Sequence, residues 1–374
     1  MPSETSSHWL DLYGNSEAYQ WQKSTRNGQS TFYRPLGLVE FAFDADGRYY
    51  EGRADMNAQL DLAVRSKLGK EEFRQRIRFA WATLQNQHPM AKSRAVSRQD
   101  YMEHGTGSAD EVYFAVDLPD DADDALRKSK DTLVFLEDYY DEVDTFDFFL
   151  HSQNTARVIK PEECLAKLFV FPLEKSQTDI QTLHFLLVSS HQIQDGLSNF
   201  AWLRSFIHIL NQTMPELEPS LKVAIEPLAF QKRLPPPQEA LYPAITGSRA
   251  RERWFWVLTR ILRHVRTPHE AGFANPLRRS QPLKTATSFS RVYASVLDYS
   301  RPPVLNTYLC NARASRKATD RLHSICRPVG LSVGAGCFAL AALIMMEFYE
   351  RQNPDVPLSE RKPFTTGFPL NPRP

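Results

Sequence analysis

Six residues near the middle of the chain, His191-Gln192-Ile193-Gln194-Asp195-Gly196, set an imidazole, a carboxylate and a glycine in the spacing H-x-x-x-D-G. An imidazole suits the task of taking a proton from an alcohol or amine that attacks a carbonyl, because its pKa lies near working pH. Asp195, four residues on, can either contact the ring or turn away and anchor the loop through an arginine. Gly196 permits a backbone geometry and a close approach that a side chain would block. The remaining histidines stand in no comparable setting and read as surface or packed imidazoles.

A base of this kind has to be delivered and then held. Ahead of the motif runs Leu183-His184-Phe185-Leu186-Leu187-Val188, separated from it by two serines. Behind it, Leu197, Phe200, Ala201, Leu203, Phe206, Ile207 and Leu210 recur at helical spacing. The pattern predicts strand, loop and helix in that order, with the histidine at the strand's end. Leu165 to Phe171 predicts a neighbouring strand.

Further upstream, Phe73, Ile77, Ala80, Trp81 and Leu84 form one face of a helix that opens after Gly69. Glu71 and Glu72 in its first turn complement the helix dipole, and His88-Pro89 should end it. The run through Arg94 and Val96 reads as extended. Leu36 to Phe43 reads as a strand closed by a turn at Asp44-Ala45-Asp46-Gly47. The acidic stretch from Asp110 to Asp147 reads as solvated surface, since calcium loops need a tighter ligand pattern.

At 374 residues the chain is too long for one ordinary core, so two domains are expected. A hydrophobic content of 42%, a charged content of 24% and a net charge of +1 fit a soluble globular protein and argue against nucleic-acid binding as its main task. The four cysteines show no C-x-x-C spacing, so neither a zinc site nor a disulfide framework is expected. Met1 to Ser7 has no secretory signal pattern, and a cytoplasmic location is expected.

The uncharged run from Val329 to Met346 has the length of a membrane span, but its glycines and alanines suggest a buried helix. No membrane span is therefore expected. Residues 213–247 hold the densest prolines and read as an extended crossover linker between a first half, 1–212, and a second, 248–374. The arginines from Arg249 onward read as a solvated basic helix, with phosphate binding as the alternative. Phe289 to Leu297 predicts a strand and Thr319 to Cys326 a helix. The close from Phe364 predicts a strand running into a turn.

The H-x-x-x-D-G segment resembles the active-site signature of CoA-dependent acyltransferases of the BAHD and condensation-domain superfamily. Phe79 to Pro89, with Arg94 after it, is similar to the early helix-to-strand segment of fungal acetyltransferases of the trichothecene O-acetyltransferase kind. Gly367 to Pro374 resembles the strand that precedes the crossover region in their second half. The resemblance implies an α/β fold of two chloramphenicol-acetyltransferase-like halves. Each would be a mixed sheet with flanking helices, with a tunnel between them and the second half incomplete in a C-terminally truncated chain.

By the same resemblance His191 is the general base. Acyl-CoA, acetyl-CoA in the first place, is the co-substrate, and no metal takes part. The acceptor is a hydroxyl of a small secondary metabolite of the mycotoxin kind, and the protein is a monomer. Asp195 would orient the loop through an ion pair, with Arg373 as first partner and Arg94 as second. Ser190 stands where peptide-forming condensation domains carry a second histidine, which favours a free-standing O-acyltransferase over an amide-forming enzyme. The D-F-G-W-G element of plant BAHD enzymes is absent. A non-catalytic, truncated remnant is the reading from outside enzymology.

Overall fold

Every strand among the described residues lies between residues 22 and 189, in one of two four-stranded sheets. The first sheet holds β1 (Gln22–Arg26), β2 (Gln29–Pro35), β4 (Arg94–Ser97) and β5 (Val112–Asp117) in the order β1-β2-β5-β4, antiparallel throughout. The second holds β3 (Met56–Val64), β6 (Leu133–Phe135), β7 (Ala166–Val170) and β8 (Gln181–Ser189) in the order β3-β8-β7-β6. It is mixed, because β6 and β7 run parallel. Central in that sheet, β8 is buried continuously from Phe185 to Ser189, which is why its sequence is apolar rather than alternating.

Helices flank these strands: α1 (Leu38–Tyr49), α2 (Lys70–Gln87), α3 (Ala122–Ser129), α4 (Thr145–Gln153), α5 (Gly196–Leu210), α6 (Met214–Ala224) and α7 (Pro227–Lys232). Later in the chain come α8 (Arg249–Val265), α9 (Arg316–Cys326) and α10 (Val333–Gln352). The computed structural model describes residues 19–26, 28–65, 68–97, 111–173, 180–241, 246–265, 273, 275–278, 281, 284–301, 306–309, 312–362 and 364. The chain divides into two units, one of Met1–Ala244, Ala286–Thr307 and Asn371–Pro374, the other of Ile245–Thr285 and Tyr308–Leu370. The α/β class with sheets flanked by helices is the one the sequence implies. Both sheets, however, belong to the first unit, and the second has no strand among its described residues.

The long helix α2 forms where its pattern places it. Ile77, Trp81 and Leu84 are buried, and the Trp81 indole donates to Thr132 Oγ1 at 2.9 Å. It stops at Gln87, just short of the residue that Pro89 forces out of helical geometry.

Leu36 to Phe43 is not a strand. Gly37 caps α1, and its N–H donates to Glu40 Oε2 at 2.7 Å. Glu40 is in turn gripped by the buried Arg34, through two bonds of 2.7 Å. Asp44 pairs with Arg48 at 2.7 Å one turn later, so the expected turn at Asp44 to Gly47 lies inside the helix. The chain reverses only at Glu51 and Gly52, with φ of 52° and 71°.

The proline-dense stretch is likewise not an extended linker along its length. Thr213 forms a capping box with Glu216, and Pro215 falls in the first turn, where a missing N–H costs nothing. Leu217 and Leu221 of α6 are fully buried, and α6 packs on α2. Phe230 of α7 stacks on Phe32 with ring centroids 6.0 Å apart.

Phe289 to Leu297 forms turns rather than a strand, because its residues fill the flank of α4. Tyr293 and Leu297 join the core, the Tyr293 hydroxyl donates to Asp147 Oδ2 at 2.9 Å, and the Ala156 N–H donates to the Asp298 carbonyl at 2.8 Å. In the second unit α10 is a helix as expected, but it is not buried. Gly336 is its single buried residue, since no sheet among the described residues covers it. By length and composition alone α10 could cross a membrane. The expected closing strand lies outside the described residues, apart from Phe364.

Candidate functional site

The motif loop is short and tied at both ends. As β8 finishes, the Ser190 N–H donates to the Leu165 carbonyl at 2.8 Å, and the Ile193 N–H returns to the Ser190 carbonyl at 3.2 Å. His191 therefore sits on a tight turn directly after a buried central strand. Asp195 then opens α5 as its N-cap, with extended backbone at φ −125° and ψ −178°. Its Oδ1 accepts the Ser198 N–H at 2.8 Å, satisfying one of the helix's free donors.

Asp195 therefore neither touches the imidazole nor pairs with Arg94. Arg94 instead donates to both carboxylate oxygens of Asp117 at 3.1 and 3.0 Å, across the β4–β5 ladder. Arg373 lies outside the described residues. Gly196 does not have a left-handed backbone, and a Cβ placed on it would meet only Met56 Cε, at 4.0 Å. The steric demand expected of this glycine is absent.

An arginine does anchor the loop, but a different one and at a different residue. Arg157 clamps Asp55 through Nε and Nη2, both at 2.7 Å, and the same Nη2 donates to Ser190 Oγ at 3.2 Å. Asp55 precedes β3, the neighbour of β8, so the clamp joins the strand edge to the residue beside His191. Burial raises the Asp55 carboxyl above its usual range, while the Arg157 fork and a positive charge on His191 both oppose that rise.

Two glycines make room for this arginine. A Cβ on Gly47, in the last turn of α1, would lie 2.5 Å from Arg157 Cζ. One on Gly52 would lie 2.5 Å from Asp55 Oδ2 and 2.6 Å from Arg157 Cγ, at a backbone that already favours glycine.

The helix that accommodates Arg157 also supplies the wall of the site. Phe43 of α1 stacks on the His191 ring, with centroids 4.0 Å apart and planes 7° from parallel. The His191 Nδ1 is buried without a hydrogen-bond partner among the described residues. One ring face and one ring nitrogen are thus taken up by protein.

Asp55, Arg157 and Phe43 were not legible from motif spacing. Asp55 and Arg157 lie 102 positions apart, and neither stands in a recognisable motif. The one local cue was the glycine pair at Gly47 and Gly52, which marks a close approach without naming what approaches.

No protein-family model matches the sequence, and no curated sequence does. Among solved structures, the chain is similar to a trichothecene 15-O-acetyltransferase from Fusarium sporotrichioides, at 12% identity and a TM-score of 0.46, over 66% of this chain and 48% of that one. It is similar to a chloramphenicol acetyltransferase at 9% identity and a TM-score of 0.27, over 48% of this chain and 98% of that one. A condensation domain from the enacyloxin polyketide synthase aligns at 12% identity and a TM-score of 0.30, over 73% of this chain and 53% of that one. The chain spans about half the length of the first of these.

Proposed function

We propose that this chain is an acyltransferase in which His191 removes the proton of an acceptor hydroxyl. The donor in this reading is an acyl thioester of coenzyme A, acetyl-CoA in the first place, and the acceptor is a hydroxyl of a small secondary metabolite. The observation that supports it best is the setting of the imidazole: on a tight turn at the end of a central strand, stacked on Phe43, with Nδ1 buried.

With Nδ1 enclosed, Nε2 is the nitrogen left to meet a substrate. It takes the hydroxyl proton as the oxygen attacks the thioester carbonyl. The carbon–sulfur bond then breaks, and the same proton passes to the departing thiolate. No covalent acyl-enzyme is required. Arg157 holds Ser190 and so fixes the turn from which the ring projects. Because the Ser190 hydroxyl is engaged by Arg157, the position before His191 offers no second base, in keeping with O-acylation rather than amide formation.

The test is thiol release from acetyl-CoA in the presence of hydroxylated terpenoid and polyketide acceptors. His191→Ala should lower turnover by about two to four orders of magnitude while leaving acetyl-CoA affinity unchanged. Equal turnover in the two proteins would remove His191 from the mechanism.

A further inference from the structure

Next to the motif, and within the first unit, lies a cleft of about 330 Å³ that His191 does not line. It opens between the end of α2, the start of α5 and the segment after α7. Its walls are chiefly apolar, with Pro89, Met90, Ile193, Trp202 and Pro235 contributing. That is the low end of the size range of small-molecule pockets.

Its polar groups are unusual in being unmet. Gln192 is 1% exposed, yet neither its Nε2 nor its Oε1 has a partner among the described residues. A buried amide that leaves both donor and acceptor unpaired is costly, and such groups in native proteins call for an explanation. The Arg233 Nε, in the same lining, is buried and unpartnered among the described residues too.

The cleft's other ionisable groups are neutral or already matched. Glu40 is held by Arg34. His88 lies near Ser205 Oγ at 3.3 Å, and burial, followed by the charge of Arg233, holds it toward its neutral form. Arg233 has a carbonyl partner in Ala224 and makes no ion pair among the described residues. One positive charge therefore faces the cleft without a counterion in contact.

We propose that this cleft binds a small apolar molecule that carries an amide and a carboxylate, the chemistry of an N-acyl amino acid. A trans amide presents its C=O and N–H on opposite sides, so the ligand carbonyl accepts from Gln192 Nε2. Its carboxylate meets Arg233, and its apolar body lies against Trp202 and the prolines. This does not depend on the role given to His191, and binding should survive in His191→Ala.

Titration calorimetry on the full chain separates the parts with three probes: N-acetyl-phenylalanine, its decarboxylated amide N-acetyl-phenethylamine, and 3-phenylpropionate, which lacks the amide. N-acetyl-phenylalanine should bind saturably with one site, and each truncated probe should bind about tenfold more weakly, the size of one lost buried hydrogen bond or charge contact. Gln192→Leu should weaken both amide probes and leave 3-phenylpropionate unchanged. Arg233→Met should weaken both carboxylates and leave the neutral amide unchanged. Should Gln192→Leu fail to fold, Gln192→Met keeps the side-chain length, removes the donor without adding charge, and should weaken the same two probes. Equal affinity of the three probes, or unaltered amide binding in a folded Gln192 variant, overturns the proposal. So does the absence of saturable binding up to about 10 mM, where any remaining interaction is negligible.

Discussion

Two helices of similar length, α2 in the first unit and α10 in the second, invert the usual expectation about composition. α2 carries Lys70, Glu71, Glu72, Arg74, Arg76 and Arg78 along its first half, yet nine of its 18 residues are buried and Trp81 has no exposed surface. α10 is almost free of charge until Glu347, yet Leu343 is 69% exposed. The difference lies in what surrounds them. α2 packs against α5 and α6, and Arg74 is matched by Glu137 and Asp138 and lies over the Phe135 ring. α10 has no sheet beside it among the described residues. Burial is a property of the partners a helix meets, and an apolar run by itself states only that partners would be favourable.

If the first unit is the tightly specified one, a large stability loss should come from breaking the buried ion pair beside the motif. Arg157→Ala strands Asp55 in a buried site and should cost about 3–5 kcal/mol. Hydrogen exchange of the β8 and α5 amides reads this unit separately from the other. The loss should also depend on pH with a definite sign. In the variant, Asp55 favours its protonated form when folded, so its folded pKa lies above the unfolded value, and stability present at low pH is lost as pH rises through that folded pKa. The deficit should therefore be smaller in acid than at neutral pH. Asp55→Asn placed on top of Arg157→Ala should recover part of it. An equal deficit across pH would mean that Asp55 is not the group left stranded.

A smaller effect discriminates the cap from the expected ion pair. Asp195→Ala should cost about 1 kcal/mol, whereas Asp195→Asn should be nearly silent, because asparagine caps a helix about as well. A large loss in the asparagine variant would restore the ion-pair reading. The smallest effect belongs to α10. Leu343→Ser should change stability by less than about 0.5 kcal/mol, as exposed positions do. A loss of several kcal/mol, seen in chemical denaturation followed by exchange at α10, would show that this helix is covered in solution and would dissolve the contrast.

Much of the first unit was readable from the chain. The unbroken apolar run into His191, the helical spacing after it and the Phe73–Leu84 stripe are local patterns that tertiary contacts do not override. Leu36 to Phe43 misled because its alternation looks extended. The opposing cue was Gly37 with Glu40 three residues on, a capping spacing whose glutamate needs Arg34 to be worth burying. The capping role of Asp195 was passed over for a related reason, while its first expected partner, Arg373, lies outside the described residues. An aspartate directly before a helix has a local task that needs no distant partner, and the local task is the one the structure shows. The Asp55–Arg157 clamp could not be read at all, since nothing in either neighbourhood encodes a contact made across two sheet strands and a loop.

The return of Ala286–Thr307 to the first unit has a consequence for how the protein is made. Tyr293 closes on Phe148 with ring centroids 5.0 Å apart, and Leu297 seals the same flank. A nascent chain that has emerged only as far as Ala244 has both sheets and the motif loop but lacks these two side chains. The residues up to Leu297 must be synthesised first, a delay on the order of 3–10 seconds at roughly 5–20 residues per second. For that interval an aromatic face stands open beside Phe148. The ribosome therefore releases this protein's histidine turn before it releases the residues that close the Phe148 flank.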